Sequence, residues 1–197
     1  MESLILARHG ESEYSARSLL NGDPTVSCGL TEAGQAQARR LGAELERSEL
    51  DLCVTSEFER TRLTAQAALA GRELPTLVLA DLNDPVYGRF EGERIEEYRG
   101  WAASAPSSEP PPGGGESRYA IVERYARGLG TLLRRPEETL LVVAHSLPLA
   151  YTLAAAAGAP PRPRADLVDY ATPYPLDRRS LERATAVLEA WLAAPDW

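Results

Sequence analysis

The sequence predicts an α/β domain, with a mostly parallel sheet covered by helices on both faces. Three observations carry that prediction. Apolar runs of strand length alternate with stretches of helical periodicity, the main strand candidates lack polar alternation, and no repeat period is present. Strands without alternation are buried on both sides, as in a parallel sheet between two helical layers. At 197 residues, 44% of them hydrophobic, the chain can bury a proper core and reads as one domain over 1–197.

The first strand candidate, Leu4-Ile5-Leu6-Ala7, stops at Arg8-His9-Gly10. Such an end delivers a guanidinium and an imidazole to the rim of a sheet, beside a residue that lets backbone or ligand come close. Glu11 to Gly29 reads as a long irregular segment, with a turn signal at Asn21-Gly22-Asp23-Pro24, able to form one wall of a pocket. Leu30 to Glu46 shows helical periodicity, with Thr31 as N-cap and Gly34 as an interior cost. Leu50 to Thr55 is a short strand. Ser56-Glu57-Phe58-Glu59 has capping-box spacing and predicts a helix to about Leu69. Arg60 then falls in the first turn, facing the same rim as Arg8 and His9.

Thr76 to Leu79 is a third short strand, and Pro85 places Asp84 in a loop that continues through Tyr87 to Gly92. A helical patch follows from Arg94 to Trp101. The Pro/Gly-rich stretch 104–115 cannot form a regular element and reads as a surface loop over or beside the site. Ser117 to Leu133 is a helix with Ile121, Tyr125, Leu129 and Leu132 as its inner stripe. Leu140 to Ala144 is a strand ending at His145, and the alanine-rich stretch from Leu147 to Ala159 is a helix too short to span a membrane. Leu167 to Ala171 is expected to be the last strand. Arg178 to Trp191 is expected to be the last helix, with Leu181, Ala184, Val187 and Leu188 facing inward.

Charge narrows the function. The net charge of -8 steers away from nucleic acid and anionic membranes, so an anion site has to be built locally. The two cysteines, Cys28 and Cys53, give neither a disulfide framework nor metal-ligand spacing, and the start of the chain lacks a signal-type segment. A cytoplasmic protein is expected.

His9 and His145 are the only histidines, and each sits immediately past an apolar strand candidate. Two histidines, Arg8, Arg60 and a carboxylate at strand ends suit phosphoryl transfer. A neutral imidazole can attack phosphorus, arginines can grip the equatorial oxygens, and a carboxylic acid can protonate the departing alkoxide. Glu11 is a rival acid near the nucleophile. Glu116 is a candidate cap or an orienter of a pocket arginine, while Tyr87 and Phe90 either wall the entrance or pack the loop.

Arg8-His9-Gly10-Glu11-Ser12 resembles the opening motif of the histidine phosphatase superfamily, also called the phosphoglycerate mutase-like family. The resemblance continues through Leu30-Thr31-Glu32-Ala33-Gly34, Ser56-Glu57-Phe58-Glu59-Arg60, Leu82-Asn83-Asp84, Tyr87 to Gly92, Gly115-Glu116-Ser117 and Val143-Ala144-His145-Ser146, in the family's order. It implies a three-layer α/β/α sandwich and an enzyme with no metal and no cofactor. The nucleophile corresponds to His9, the phosphate pocket to Arg8, Arg60 and His145, and the proton donor to Asp84. A backbone carbonyl is expected to hold the far nitrogen of His9. Three positions depart from the family pattern: Asp84 where Glu is frequent, Ser15 where Asn is frequent, and Ser146 where Gly is frequent. Ser15 and Ser146 are therefore candidate substrate-binding residues.

Mutases of the family usually carry a long insertion between the donor loop and the Gly-Glu-Ser motif, whereas here only Glu91 to Gly114 intervene. The expected activity is hydrolysis of a small phosphorylated metabolite through phosphohistidine, by a monomer or homodimer. Phosphoglycerate mutase, sugar-bisphosphatase and a catalytically weak phospho-ligand-binding module are the alternatives. Selectivity is expected from Ser12 to Ser27 and Glu91 to Gly115.

Overall fold

The computed structural model describes residues 1–197. In chain order the elements are β1 (Ser3–Arg8), α1 (Glu13–Ala16), α2 (Glu32–Glu44), β2 (Leu52–Thr55), α3 (Glu59–Ala68), β3 (Thr76–Val78), α4 (Ile95–Ala102), α5 (Arg118–Leu133), β4 (Thr139–Ala144), α6 (Ser146–Ala156), β5 (Tyr174–Asp177) and α7 (Arg178–Ala193). Short 3-10 turns at Ala80–Leu82 and Gly88–Phe90 flank the Asp84 loop. The five-stranded sheet has the order β3-β2-β4-β1-β5, parallel except for β5.

Alternate residues of the central strands enter different cores. Leu4, Leu6, Leu52, Val54, Leu140 and Val142 pack with Ile121, Leu129, Leu149, Leu181 and Leu188 from α5, α6 and α7. Ala7, Cys53, Leu141 and Val143 face the other way, onto Leu41 of α2 and Ala65 and Ala68 of α3. Both sides of one strand are apolar because each serves its own helical layer, which makes the three-layer sandwich. All four residues of the α5 stripe are buried.

Four sequence readings change. Leu167 to Ala171 is not a strand: Leu167 is exposed, Ala171 takes a positive φ of 45°, and only Tyr170 bridges to Arg8. The last strand is instead Tyr174–Asp177, antiparallel at the sheet edge, where Pro175 removes no needed donor. The capping box at Ser56 does not form, since α3 begins after Phe58 and that cap has no side-chain hydrogen bond. Gly34 is more than a helix cost: a Cβ there would lie 2.0 Å from the Glu11 carbonyl oxygen, so the glycine lets α2 press on the end of the Arg8-His9-Gly10 turn. Finally, residues 104–115 line no part of the main cavity. They support the Asp84 loop from behind, with Pro112 accepting a backbone hydrogen bond from Arg89.

Candidate active site

Parallel pairing of β1 with β4, with Arg8 opposite Ala144, brings the residues just beyond both strands out side by side. His9 and His145 therefore face each other, their ring centroids 5.3 Å apart. β2 lies on the other side of β4, and the helix after it swings Arg60 over the same rim. Asp84 arrives from the loop after β3. A cavity of about 220 Å³ opens here, lined by Arg8, His9, Arg60, Asp84, Ser15 and Ser146 among others.

The tautomer of His9 follows from its surroundings. Nδ1 lies 2.7 Å from the Gly10 carbonyl oxygen, so Nδ1 carries the proton and donates it. Nε2 is left with its lone pair, toward which Arg60 Nε donates at 3.2 Å. Burial, then the charges of Arg60 and Arg8, hold the His9 pKa well below the usual histidine value. A neutral imidazole whose Nε2 keeps its lone pair is a competent nucleophile once phosphorus takes the place of the Arg60 N–H.

Arg60 links the cluster. Nη1 donates to Asn21 Oδ1 at 2.6 Å, while Nη2 donates to Asp84 Oδ2 at 3.0 Å and to the Asn21 carbonyl at 3.1 Å. Nη2 is also 3.2 Å from His145 Nδ1. With Nδ1 as acceptor, His145 Nε2–H donates to Ser56 Oγ at 2.8 Å, and Ser56 in turn contacts Thr61 Oγ1 at 3.0 Å. The serine read as a helix cap thus fixes the second histidine. Burial first, then the charge of Arg60, hold the His145 pKa well below normal, which favours the neutral ring.

Burial pushes the Asp84 pKa up, against the opposing pull of Arg60 and Arg8. An aspartic acid can therefore keep its proton further toward neutrality than a solvated one. Arg8 donates from Nη1 to the Val168 carbonyl at 2.8 Å, with its guanidinium 3.8 Å from the Tyr170 ring centroid.

Ser15 and Ser146 line the cavity with hydroxyls already engaged. Ser15 Oγ donates to the Ser12 carbonyl and accepts from Ser12 N, capping α1. Ser146 Oγ accepts from Val168 N at 2.9 Å. Glu11 is turned away to accept from Thr31 Oγ1 and is not in the lining. Glu116 orients Arg124 and does not cap α5, where Ser117 is the cap. Tyr87 lines the cavity, while Phe90 packs with Tyr98 and Trp101.

Three contributors escaped the sequence reading. Asn21 was visible only as a turn residue, although its side chain receives Arg60. Arg118 lies at the start of a helix whose inward stripe looked purely apolar. The segment 163–170 forms a whole wall, including Leu167 and Tyr170, where a strand was expected. The loop 12–27 contributes Ser12 to Asn21 as expected, but the 91–115 stretch contributes only Ile95, Tyr98 and Arg99.

Known proteins bear on this geometry. The family model described as "Histidine phosphatase superfamily (branch 1)" matches residues 4–190. The adenosylcobalamin/alpha-ribazole phosphatase of Salmonella typhimurium is 32% identical over 151 residues, spanning 72% of this chain and 73% of that protein. A 2,3-bisphosphoglycerate-dependent phosphoglycerate mutase of Brucella melitensis biotype 1 is 34% identical over 176 residues, spanning 81% and 83%. The crystal structure of the alpha-ribazole phosphatase from Shigella flexneri superposes with a TM-score of 0.75 at 27% identity, covering 89% of this chain and 90% of that one.

Proposed function

The chain belongs to the histidine phosphatase superfamily, and from that premise we propose that it hydrolyses small phosphomonoesters through a phosphohistidine at His9. The observation that carries the reading is the pairing at His9 of a committed Nδ1 proton with an unprotonated Nε2 that faces the Arg60 guanidinium, with Arg8 and Asp84 in the same cavity lining and the buried His145 ring 5.3 Å away.

In the first step the His9 Nε2 lone pair forms a bond to phosphorus, and the bond from phosphorus to the leaving oxygen breaks. Asp84 gives its proton to that oxygen. Arg8 and Arg60 follow the charge on the equatorial oxygens by charge-assisted hydrogen bonds. His145, fully buried with Nδ1 3.2 Å from Arg60 Nη2, is assigned to the same oxygens, and a phosphoryl dianion favours its charged form by the ordinary effect of a nearby opposite charge. In the second step the Asp84 carboxylate takes a proton from water, the water oxygen bonds to phosphorus, and the nitrogen–phosphorus bond breaks. Inorganic phosphate leaves and His9 is restored.

We favour hydrolysis over transfer because only Glu91 to Gly114 intervene between the donor loop and the Gly-Glu-Ser motif, and of these only Ile95, Tyr98 and Arg99 line the cavity, a short cover that would admit water to the phosphohistidine. Relatives of similar identity include both a phosphatase and a mutase by name. A cytoplasmic setting is supported by the two cysteines, which are buried and unpaired. No helix is long and apolar enough to cross a membrane.

The test is inorganic phosphate release from a panel of phosphorylated metabolites in EDTA, for the wild type and His9→Ala. Turnover that disappears with His9 is expected. Undiminished turnover in a folded His9→Ala protein would overturn the mechanism, and isomerised 3-phosphoglycerate without phosphate release would replace hydrolysis by transfer.

A further inference from the structure

Arg118 opens α5 and is only 6% exposed, yet it takes part in no ion pair. Only Nη1 has a partner, donating at 3.2 Å to the Tyr151 hydroxyl, which itself donates to the Arg162 carbonyl at 3.0 Å. Nε is sealed from water with no acceptor. Nη2 makes no hydrogen bond and is not among the sealed atoms, and the residue lines the cavity. A guanidinium cannot shed its proton, so this wall carries a permanent positive charge.

The neighbours do not neutralise it. The Tyr98 ring centroid lies 5.1 Å from the guanidinium carbon, a cation–π contact that moderates the charge without cancelling it. Burial raises the pKa values of Tyr87, Tyr98, Tyr125 and Tyr151, so these phenols stay neutral. The Tyr98 hydroxyl is itself buried with no partner. One wall therefore combines a fixed cation with an orphaned N–H and an orphaned hydroxyl.

The shape of the free edge narrows the ligand. Nε–H and one Nη2–H lie parallel on the side of the guanidinium away from Nη1, and that fork matches the two oxygens of a carboxylate. A single guanidinium balances one negative charge, whereas a second phosphate dianion calls for more. Of the further arginines in the lining, Arg99 is already engaged, with Nη2 on the Ala165 carbonyl at 2.7 Å and Nη1 3.5 Å from Glu96, and Arg164 is exposed to solvent on the segment where Asp166 brings an opposing charge into the same lining.

We propose that Arg118 binds a carboxylate on the leaving group, which makes phosphorylated hydroxy acids the preferred substrates. Nη2 makes the first contact, and Nε–H completes the pair as the side chain turns toward it. The inference rests on the phosphatase reading and assigns the substrate class for that same site.

The experiment compares kcat/KM for 3-phosphoglycerate and glycerol 3-phosphate, which differ by carboxylate against hydroxymethyl, in wild type, Arg118→Met and Arg118→Lys. The wild type is expected to favour the carboxylated member by about tenfold or more, the scale of a hydrogen-bonded charge. Arg118→Met should bring the ratio close to one, and Arg118→Lys, which keeps the charge but not the fork, should hold an intermediate value. Equal kcat/KM in the wild type, or a ratio unchanged by either substitution, overturns the proposal. If Arg118→Met does not fold, the wild-type and Arg118→Lys ratios decide. Phosphate release from an activated aryl phosphate reports on the hydrolase reading separately. If no substrate releases phosphate, that reading falls, and titration calorimetry with the same pair decides on Arg118: tighter binding of the carboxylated member supports it, and equal binding overturns it.

Discussion

Arg60 donates to Asp84 across 3.0 Å, tying the proposed proton donor to a cation that the substrate phosphoryl group also needs. The contact favours the carboxylate, while burial favours the acid more strongly, so the net shift of Asp84 is upward. A phosphoryl group that draws Arg60 toward itself weakens the restraint on protonation, so substrate binding and acid readiness are coupled.

The first prediction is a pH profile. His9 must be neutral and Asp84 protonated, so the depressed His9 pKa sets the acid limb and the raised Asp84 pKa sets the alkaline limb. For an alkyl phosphate, kcat/KM should peak on the acid side of neutrality. Asp84→Asn should lower that rate roughly 10²- to 10⁴-fold, with a far smaller loss on an activated aryl phosphate. Steady-state rates across pH with both ester types check this, and equal losses on the two would remove Asp84 from the donor role.

A second prediction concerns acid stability. Both histidines have folded pKa values below their unfolded ones, so below about pH 6.5 the unfolded chain binds the extra protons. Their contribution is present above that pH and is lost as pH falls toward the folded values. His145→Gln should reduce the acid loss by up to about 1.4 kcal/mol per pH unit in that window. Urea midpoints measured between pH 7 and pH 4 test the slope.

A third concerns the loop that carries Asp84. Arg124 donates to both Glu116 oxygens, at 2.9 and 2.7 Å, and to the carbonyls of Asn83 at 2.9 Å and Asp81 at 3.0 Å. Glu116 in turn accepts from Val86 N at 3.0 Å, so the loop is clamped on both sides of the donor. Arg124→Leu should lower kcat on alkyl phosphates by roughly tenfold to a hundredfold through misplacement of Asp84. Activated aryl phosphates should be spared, and that contrast separates positioning from general destabilisation.

The fourth is a sign reversal at Gly34. In an unobstructed helix interior, Gly→Ala stabilises by about 1 kcal/mol. Here the new methyl would meet the Glu11 carbonyl at 2.0 Å, a contact no rotamer relieves. Gly34→Ala should destabilise, by about 1–3 kcal/mol on the scale of overpacked sites. Thermal unfolding of the purified variant gives the sign directly.

Much of the site was legible because its residues follow buried strands. Continuous apolar runs fix β1 and β4, and parallel pairing then brings His9 and His145 together without further information. Arg60 and Asp84 were marked by a helix start and a proline turn. The final strand was obscured because Pro175 breaks its pattern, while Leu167 to Ala171 imitated a strand by composition alone. Asn21, Arg118 and the 163–170 wall act through tertiary approach, which local periodicity does not encode. The Ser56 motif had capping spacing, but its hydroxyl served His145.

Besides the Tyr170 ring on the Arg8 guanidinium, the wall at 163–170 is fastened to the chemistry through main-chain atoms: the Val168 carbonyl on Arg8, the Val168 amide on Ser146 and the backbone bridge from Tyr170 to Arg8. Anchors of that kind do not depend on which side chain the anchored residue carries. The stretch is consequently an exchangeable cassette. Pro163 to Leu167 can be rewritten, by evolution or by a designer, to accept new leaving groups while the nucleophile and its cations keep their places.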